Sequence, residues 1–333
     1  MWAPEPQGSS FFISMKNKGG QAGFSLVLYE PPMNKTAEIP MKLLFLCSFI
    51  TTAGFATAVD FAAPIEKVGS DFKFTEGPLW VAAKNQLLFS DIPANRIVAL
   101  YEGKFSTFRS PSNNSNGLTL DKQGCLIACE HGTRRVTRTN ADGSISVLAE
   151  RYQGKRLNSP NDVVVASDGA IFFTDPPYGV EDAQRELDFQ GVYRISPDGK
   201  GLTLLVKDFI KPNGLAFTPD EKILYVNDTE GGHIRAFDVG ADGTLANSRV
   251  FAKVPSSDGM KVDTEGNVFC TSATGVMVFD SHGKHLGTFS MAEQPANCAF
   301  GDSDMKALYM TSRTGLYRVR LSVPGIQPGA RTH

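Results

Sequence analysis

Cysteine, charge of one sign and helical periodicity are all scarce in this sequence. Five cysteines among 333 residues are too few for a disulfide scaffold. The 33 basic and 35 acidic side chains leave a net charge of −2 with no long basic run, which argues against binding to nucleic acid or to an anionic membrane. No long segment combines helical periodicity with caps, so a helical solenoid is excluded. The hydrophobic fraction of 41% is nevertheless ample for a soluble, folded core.

Two catalytic motifs are also missing. The sequence contains no Gly-x-Ser-x-Gly nucleophile elbow and no Walker phosphate-binding loop. A serine esterase and a phosphoryl-transfer enzyme therefore have no support.

A single apolar run stands out near the start of the chain. It follows Met41 and Lys42 and ends in the small-x-small order Ala56-Thr57-Ala58 of a signal-peptide cleavage site. Because the run is too short to span a bilayer, residues 41–58 are predicted to be a secretory signal, with a buried strand or helix as the alternative. We expect residues 1–40 to be a non-native or disordered extension, and a mature protein that begins near Val59 in the periplasm or outside the cell.

Six internal repeats follow this run. Each begins with a polar residue, usually followed by Gly, and the leading residues are Glu76, Asn116, Asn161, Asn213, Asp258 and Asn297. Each repeat then has a second, aromatic or β-branched run. The last residue of this run is small or acidic and lies 14 or 15 positions after the leading residue: Asp91, Glu130, Asp175, Asp228, Ser272 and Ser312. A turn such as Asp121-Lys-Gln-Gly124 separates the two strands. A third strand recurs after them, and in most repeats a fourth.

Four short strands in a unit of about 40–50 residues predict a blade of a β-propeller. The sequence therefore predicts an all-β, six-bladed propeller with four-stranded blades over residues 59–325, with a tail at 326–333. The sixth repeat ends after its third strand, whereas the strand-like segment Ala63–Gly69 precedes the first repeat without a partner. We expect this N-terminal strand to complete the last blade and close the ring, which leaves no free sheet edge.

The six leading residues are expected to meet at the axis, because the first strand of each blade lines the channel of a propeller. This channel ring contains two carboxylates, four amides and no apolar side chain. An all-oxygen set suits one hard divalent cation, Ca²⁺ first, with Mg²⁺, Mn²⁺ or Zn²⁺ as alternatives. The lack of Cys and His argues against a closed structural zinc site. Alternatively, these residues are turn formers that bond their own backbone before Gly.

Several motifs together carry a family resemblance over roughly residues 65–320. They are Phe74-Thr-Glu-Gly-Pro-Leu-Trp80, Phe89-Ser-Asp-Ile-Pro93, Asn116-Gly-Leu-Thr-Leu-Asp121, Leu157-Asn-Ser-Pro-Asn-Asp-Val163, Phe173-Thr-Asp-Pro-Pro-Tyr-Gly179, Lys211-Pro-Asn-Gly-Leu-Ala-Phe217 and Ser257-Asp-Gly-Met-Lys-Val-Asp263. The chain resembles the senescence-marker-protein/gluconolactonase/luciferin-regenerating-enzyme family, within it the bacterial gluconolactonase branch. The resemblance implies a six-bladed propeller that hydrolyses sugar lactones with a divalent cation in its channel.

The resemblance also implies roles for members of the channel ring. Glu76, Asn213 and Asp258 are expected to be metal ligands, with Asp258 also the general base, and Asn161 is expected to contact metal or substrate. Animal members of the family carry an Arg two residues before this Asn, where the present chain has Ser159. The sugar-hydroxyl contact expected from that Arg is therefore absent or supplied elsewhere, which leaves the identity of the lactone open.

Further residues are candidates for the substrate pocket. Asn116 belongs to the ring without an assigned ligand role. His131 follows the end of a second strand and either binds a sugar hydroxyl or is a hydrogen-bonded loop residue. Tyr178, in a Pro-Pro-Tyr-Gly sequence, either walls the pocket or belongs to a plain turn. Arg134 and Arg135 are interpreted as strand-face charges.

Two functions of different classes fit this pattern. In a metal-dependent lactonase, the cation polarises the lactone carbonyl while Asp258 takes a proton from water. In a non-catalytic propeller, the rim binds a partner and the ion is structural. The wholly polar ring favours the enzyme, since a binding scaffold does not need it; a broader lactone or phosphotriester hydrolase is the runner-up. The expected partner is a small sugar lactone, and the protein is expected to be a monomer or small homo-oligomer without a membrane span.

Overall fold

Tight turns with their own hydrogen bonds join the first and second strands of the repeats. In the second repeat, the Asp121 carboxylate accepts hydrogen bonds from the backbone N–H groups of Gln123 (2.9 Å) and Cys125 (2.8 Å). Asp263 makes the equivalent pair of bonds in the fifth repeat (3.0 and 2.8 Å). These turns reverse the chain between two runs that bury apolar side chains, so antiparallel pairing follows.

The computed structural model of the protein describes residues 59–328. The predicted extension (1–40), the predicted signal (41–58) and residues 329–333 of the predicted tail lie outside this range, and these assignments stay predictions. Between residues 59 and 328 the chain forms six four-stranded antiparallel sheets. None of the helical turns in this range has the length and apolar character needed to cross a membrane.

Each sheet is one blade, and its strands follow one another from the axis outward. The first strands are β2 (Thr75–Val81), β6 (Ser115–Leu120), β12 (Val163–Val165), β16 (Pro212–Phe217), β20 (Met260–Val262) and β24 (Asn297–Gly301). The second strands are β3 (Gln86–Asp91), β7 (Leu126–Glu130), β13 (Ile171–Asp175), β17 (Ile223–Asp228), β21 (Val268–Ser272) and β25 (Ala307–Ser312).

The outer half of each blade repeats in the same way. The third strands are β4 (Arg96–Tyr101), β8 (Arg135–Thr139), β14 (Gly191–Ile195), β18 (His233–Val239), β22 (Gly275–Phe279) and β26 (Gly315–Arg320). The fourth are β5 (Lys104–Arg109), β9 (Ile145–Ala149), β15 (Leu202–Val206), β19 (Leu245–Lys253), β23 (His285–Ser290) and β1 (Glu66–Gly69). A small hairpin, β10 (Arg151–Tyr152) with β11 (Lys155–Arg156), and two 3-10 turns, Ala82–Lys84 and Asp182–Gln184, lie in the connections.

The ring of blades closes through the N-terminal strand, as predicted. β1 pairs antiparallel with β26, with Glu66 opposite Arg318 and Lys67 opposite Tyr317. Each first strand also contacts the first strands of both neighbouring blades, and β24 contacts β2 to complete the cycle. The fold is a six-bladed β-propeller with four-stranded blades, which confirms the predicted fold class.

Apolar side chains between neighbouring blades form the core. All seven residues of β2 are buried, whereas five of the six residues of β5 are exposed. The largest buried cluster includes Phe89 and Phe289 and receives Val59, Phe61 and Ile65 from the segment that contains β1. Burial thus decreases from the axis to the rim, which fixes the first strands most rigidly.

The C-terminal segment covers one end of the channel. Val323 is buried, Gly325 pairs with Asp263, and Ile326 packs on the core between blades 4 and 5. Between this segment and the first strands lies a cavity of about 60 Å³. We refer to the opposite end of the channel, where the first strands begin, as the channel mouth.

Candidate functional site

The six predicted ring residues meet around the axis. Asn297 Nδ2 donates to Glu76 Oε2 at 3.0 Å, across the junction of the last and first blades. The N–H of Gly117 donates to the Asn161 carbonyl at 2.8 Å, and that of Gly214 to the Asp258 carbonyl at 3.0 Å. Five of the six side chains are buried, and Asp258 keeps partial exposure. The register count in the sequence therefore predicted the positions that converge on the channel.

Glycine follows four of the ring residues because neighbouring strands approach closely there. A Cβ on Gly77 would lie 2.0 Å from the Asn116 carbonyl oxygen, and the φ of Gly77 is +52°. A Cβ on Gly214 would lie 2.5 Å from the Asp258 carbonyl oxygen. The polar-Gly pattern therefore reflects packing at the axis as well as turn formation.

The turn-former alternative holds for part of the ring. Asn297 Oδ1 accepts a hydrogen bond from the N–H of the next residue, Cys298, at 2.8 Å. Glu76 Oε2 accepts one from Gly77 N–H at 2.5 Å. Asn116 and Asn213 instead turn their amides toward other side chains, so local backbone bonding does not explain the whole ring.

The Asn213 side-chain amide is held through its nitrogen, while its oxygen has no hydrogen-bond donor among the described residues. Its Nδ2 donates to the Tyr178 hydroxyl and to Thr229 Oγ1, both at 3.2 Å. Its Oδ1 is buried and has no hydrogen-bond donor among the described residues. Asn116 repeats the arrangement: Nδ2 contacts His131 Nε2 at 3.3 Å, and Oδ1 is buried and equally without a donor.

Burial and neighbouring negative charge raise the pKa of both ring carboxyls. Burial raises the pKa of Glu76 to about 7, with a further contribution from the charge of Asp162. Burial likewise raises the pKa of Asp258 well above its usual range, and the charge of neighbouring Glu76 raises it further. Asp258 is a neighbour of both Glu76 and Asn213 in the ring. Two neighbouring carboxylates with little access to water are stabilised by protons or by a cation between them.

His131 and Tyr178 both contact residues of the channel ring. Burial lowers the pKa of His131 to about 4, so its imidazole is neutral at physiological pH and its Nε2 accepts from Asn116. Tyr178 remains 43% exposed while its hydroxyl accepts from Asn213, and Lys211 Nζ lies 4.9 Å from its ring centroid. Ser159 is buried, and its Oγ accepts from Gly179 N–H at 3.2 Å.

The acidic residues that end the second strands hold the loops at the channel mouth. Asp91 accepts from the N–H groups of Lys73 (3.0 Å) and Phe74 (3.2 Å), just before β2. Asp228 accepts from Ile210 (2.8 Å) in the same way, before β16. These carboxylates fix the position of the loops that precede the first strands. In the sequence, this role is indicated by an acidic residue that recurs at the end of the β-branched runs.

A second set of contacts, the hydrogen bonds between neighbouring blades, was not predicted from the sequence. The residue before the last position of most second strands bonds to the backbone of the next blade's first strand. Ser90 Oγ donates to Asn116 O (2.8 Å), Thr174 Oγ1 donates to Asn213 O (2.7 Å), and Asn227 Nδ2 donates to Asp258 O. Aligning the six repeats would have shown Ser, Thr or Asn at this position in five of them, with Cys129 as the exception.

The interpretation of Arg134 as a strand-face charge was wrong. Arg134 precedes β8 with a φ of +58°, and its buried side chain points into the protein. Its Nε donates to the carbonyls of Leu157 (2.7 Å) and Asn158 (2.9 Å), and Nη1 to that of Gln184 (3.0 Å). Arg135 begins β8 and pairs with Glu130 at 2.8 Å. Arg134 therefore links the segment before β12 to the 3-10 turn Asp182–Gln184.

The donor set of the ring restricts which metal it suits. Within residues 59–328, no group of three or more Asp, Glu, His or Cys side chains is arranged to hold a metal ion. A cation in the ring would therefore rely on amide oxygens besides the carboxylates of Glu76 and Asp258. Mixed carboxylate and amide oxygens are ligands for hard cations such as Ca²⁺, Mg²⁺ and Mn²⁺.

Fold and site together define a closed six-bladed propeller with a ring of oxygen-bearing polar side chains around its axis. The chain belongs to the SMP-30/gluconolactonase/LRE-like family, whose model matches residues 74–314. It is 34% identical over 302 residues to a gluconolactonase of Zymomonas mobilis subsp. mobilis, covering 80% of this chain and 84% of that one. It is 28% identical over 263 residues to the pentonolactonase XacC of Haloferax volcanii, covering 74% and 84%.

A solved structure agrees with these relatives. A gluconolactonase of Xanthomonas campestris superposes with a TM-score of 0.73 and is 41% identical, covering 78% of this chain and 90% of that one. The predicted family and the predicted enzyme class, a hydrolase of lactones, are confirmed by these comparisons.

Proposed function

We propose that this lactone hydrolase opens sugar lactones with a divalent cation held in the channel ring. The observation that carries the proposal is the Asn213 amide. Its Nδ2 is held by two acceptors, and its buried Oδ1 has no donor among the described residues. A buried acceptor without a partner costs free energy. A cation shared with the carboxylates of Glu76 and Asp258 would satisfy all three groups.

Glu76, Asn213 and Asp258 are the proposed metal ligands, with Asn161 as a fourth oxygen donor from blade 3. Ca²⁺ is the first choice, because it accepts irregular sets of oxygen ligands; Mg²⁺, Mn²⁺ and Zn²⁺ are the alternatives. When bound, such a cation supplies Lewis-acid stabilisation of the negative charge that develops on an attacked lactone carbonyl oxygen.

Asp258 is the proposed general base. It is the one ring residue that keeps partial exposure, so a water molecule can reach it from the channel mouth. Glu76 already accepts hydrogen bonds from Gly77 N–H and Asn297 Nδ2. Because a carboxylate bound to a cation is a weak base, the role of Asp258 depends on its free oxygen and on how it orients the water.

The substrate hydroxyls are assigned to the wall opposite these ligands. The Asn116 Oδ1 lacks a donor among the described residues, and the neutral His131 lies beside it. With Ser159 buried behind Gly179, this pair and Asn161 replace the contact that Arg makes in animal members. Tyr178 offers a partly exposed ring as a flat wall, in keeping with aromatic stacking on a sugar.

The proposed function is tested by proton release from a substrate panel before and after chelation. The panel holds six- and five-carbon aldonolactones, a simple aliphatic lactone and a phosphotriester. We expect turnover of the aldonolactones that is lost after chelation and restored by Ca²⁺, Mg²⁺ or Mn²⁺. Full turnover after chelation would remove the cation from the mechanism. Faster hydrolysis of the phosphotriester would favour the broader hydrolase, and no turnover of any compound would favour a binding module.

A pair of substitutions tests the orientation of the Asn213 amide. Removing both acceptors of its Nδ2, in Tyr178→Phe with Thr229→Val, frees the amide to rotate and lose its aim at the cation. Loss of such supporting bonds costs about 10–100-fold in metal affinity, and we expect a decrease of that size by titration calorimetry. Tyr101→Phe, at an exposed tyrosine on β4, is the matched control and should bind as the wild type does. Unchanged affinity in the double variant would contradict the assignment of Asn213 as ligand.

A further inference from the structure

A charged pair lies beneath the channel ring. Lys261 Nζ donates to the Met260 carbonyl at 2.9 Å and lies 3.9 Å from Asp162 Oδ2. Asp162 follows the ring residue Asn161 in blade 3, and Lys261 comes three residues after Asp258 in blade 5. The pair therefore joins two blades across the axis, one layer below the proposed cation.

The position of Lys261 is unusual for a lysine. It is the one charged residue among the described residues that line the cavity at the covered end of the channel. Most of the other lining residues are apolar, Thr119 and Gln327 excepted: Leu79, Leu118, Val163, Phe217, Val262 and Phe300 are among them. An ammonium group in such surroundings is unfavourable unless a negative charge faces it.

The Lys261–Asp162 pair does not have the geometry of a hydrogen-bonded salt bridge. Asp162 Oδ1 accepts from Val163 N–H at 2.9 Å, whereas Oδ2 is buried without a hydrogen bond among the described residues and faces Lys261 from 3.9 Å. By contrast, the buried Glu130 is held by Arg109 at 3.2 Å and Arg135 at 2.8 Å. What Lys261 contributes is mainly charge rather than a fixed bond.

The charges of the two layers act on one another. Asp162 directly follows the ring residue Asn161, and Lys261 Nζ lies 3.9 Å from its Oδ2, so both charges act on a cation held in the ring. When ionised, the carboxylates of Glu76, Asp162 and Asp258 carry −3, and Lys261 brings the sum to −2. One divalent cation then makes the channel neutral.

We propose that Lys261 is a built-in counter-ion that matches the channel to a single divalent cation and limits how tightly that cation binds. The inference rests on the proposed cation in the ring. Lys261 fills the place where a second cation would otherwise neutralise Asp162. It acts through charge on the ring and touches no reacting atom, so it is a positioning residue.

The test is titration calorimetry of the chelated, full-length protein with Ca²⁺, on the wild type and four variants. Lys261→Met changes the channel charge from −2 to −3, and we expect Ca²⁺ to bind on the order of tenfold more tightly, or a second ion to bind. Asp162→Asn changes the charge to −1 and should weaken binding by a similar factor. The Asp162→Asn/Lys261→Met double variant returns the charge to −2 and should bind close to the wild type. Lys261→Arg keeps the charge and is the matched control.

The direction of the change separates this role from a structural one. Loss of a merely structural lysine would loosen the site, so weaker or unchanged binding in Lys261→Met overturns the inference. If Lys261→Met does not fold, the other variants decide: Asp162→Asn that binds Ca²⁺ as the wild type does also overturns it. A wild type that binds no Ca²⁺, Mg²⁺ or Mn²⁺ overturns both the cation site and this inference, whereas wild-type binding with no response to charge overturns the inference alone.

Discussion

Asp258→Asn should lose turnover by about 10²–10⁴-fold, the usual contribution of a general base, and saturating cation should not restore it. The amide keeps an oxygen that can reach the cation, but it cannot accept a proton from water. Affinity for the cation should fall as well, because the ring loses one of its two carboxylates. The measurement is kcat on an aldonolactone as a function of Ca²⁺ concentration, with occupancy followed by calorimetry.

Asn116→Ala is the comparison within the same ring. Asn116 contacts His131 and has no proposed ligand role, so its loss should chiefly raise KM and leave kcat at saturating substrate nearly unchanged. If excess cation returns Asp258→Asn to the wild-type kcat, Asp258 is only a ligand and another group is the base.

Deleting residues 59–70 should lower the melting temperature by roughly 10 °C or more. The deletion removes β1, the outer strand of the last blade, and exposes the edge of β26. It also removes Val59, Phe61, Ala63, Ile65 and Val68 from the largest core cluster. At about 1.5–3 kcal/mol for each fully buried large apolar side chain, these partly buried residues together contribute roughly 5 kcal/mol. In a domain of this size 1 kcal/mol shifts the melting temperature by about 2–4 °C.

The reference for this deletion is a chain that starts at residue 59, measured by calorimetry beside one that starts at residue 71. Both lack the same preceding residues, so the difference reports on β1 and its flanking segment. A substitution of Arg318, which pairs with Glu66 at the exposed surface, should cost far less. A chain starting at 71 that keeps its melting temperature would contradict the contribution of this strand to closure.

The fold and the ring were predictable because their signals are local. Turn residues, β-branched runs and the polar residue before Gly recur in a register that drifts by one position at most, and Glu76 to Asn297 came from counting alone. The third strand of the second blade, Arg135–Thr139, was not named in the sequence, because alternating Arg and Thr carry little apolar signal.

The remaining features depend on contacts between blades. The sequence places Arg134 in a strand, whereas in the structure its left-handed backbone directs the guanidinium toward Leu157 and Gln184. Asp162 and Lys261 are 99 positions apart (261 − 162) in different blades, and only the angle between blades brings them within 3.9 Å. The aim of the Asn213 amide likewise depends on Tyr178, a loop residue of another blade. Such pairings have no periodic signal in one sequence.

The location of a bound ion tests the central claim most directly. Crystals of the protein soaked in Mn²⁺ and measured at its absorption edge should show one anomalous peak on the axis at the channel mouth. Oxygens of Glu76, Asn213 and Asp258 should lie within about 2.6 Å of it. No peak in the ring from crystals of a protein whose lactone turnover depends on Mn²⁺, or a peak that none of these three residues contacts, would contradict the account.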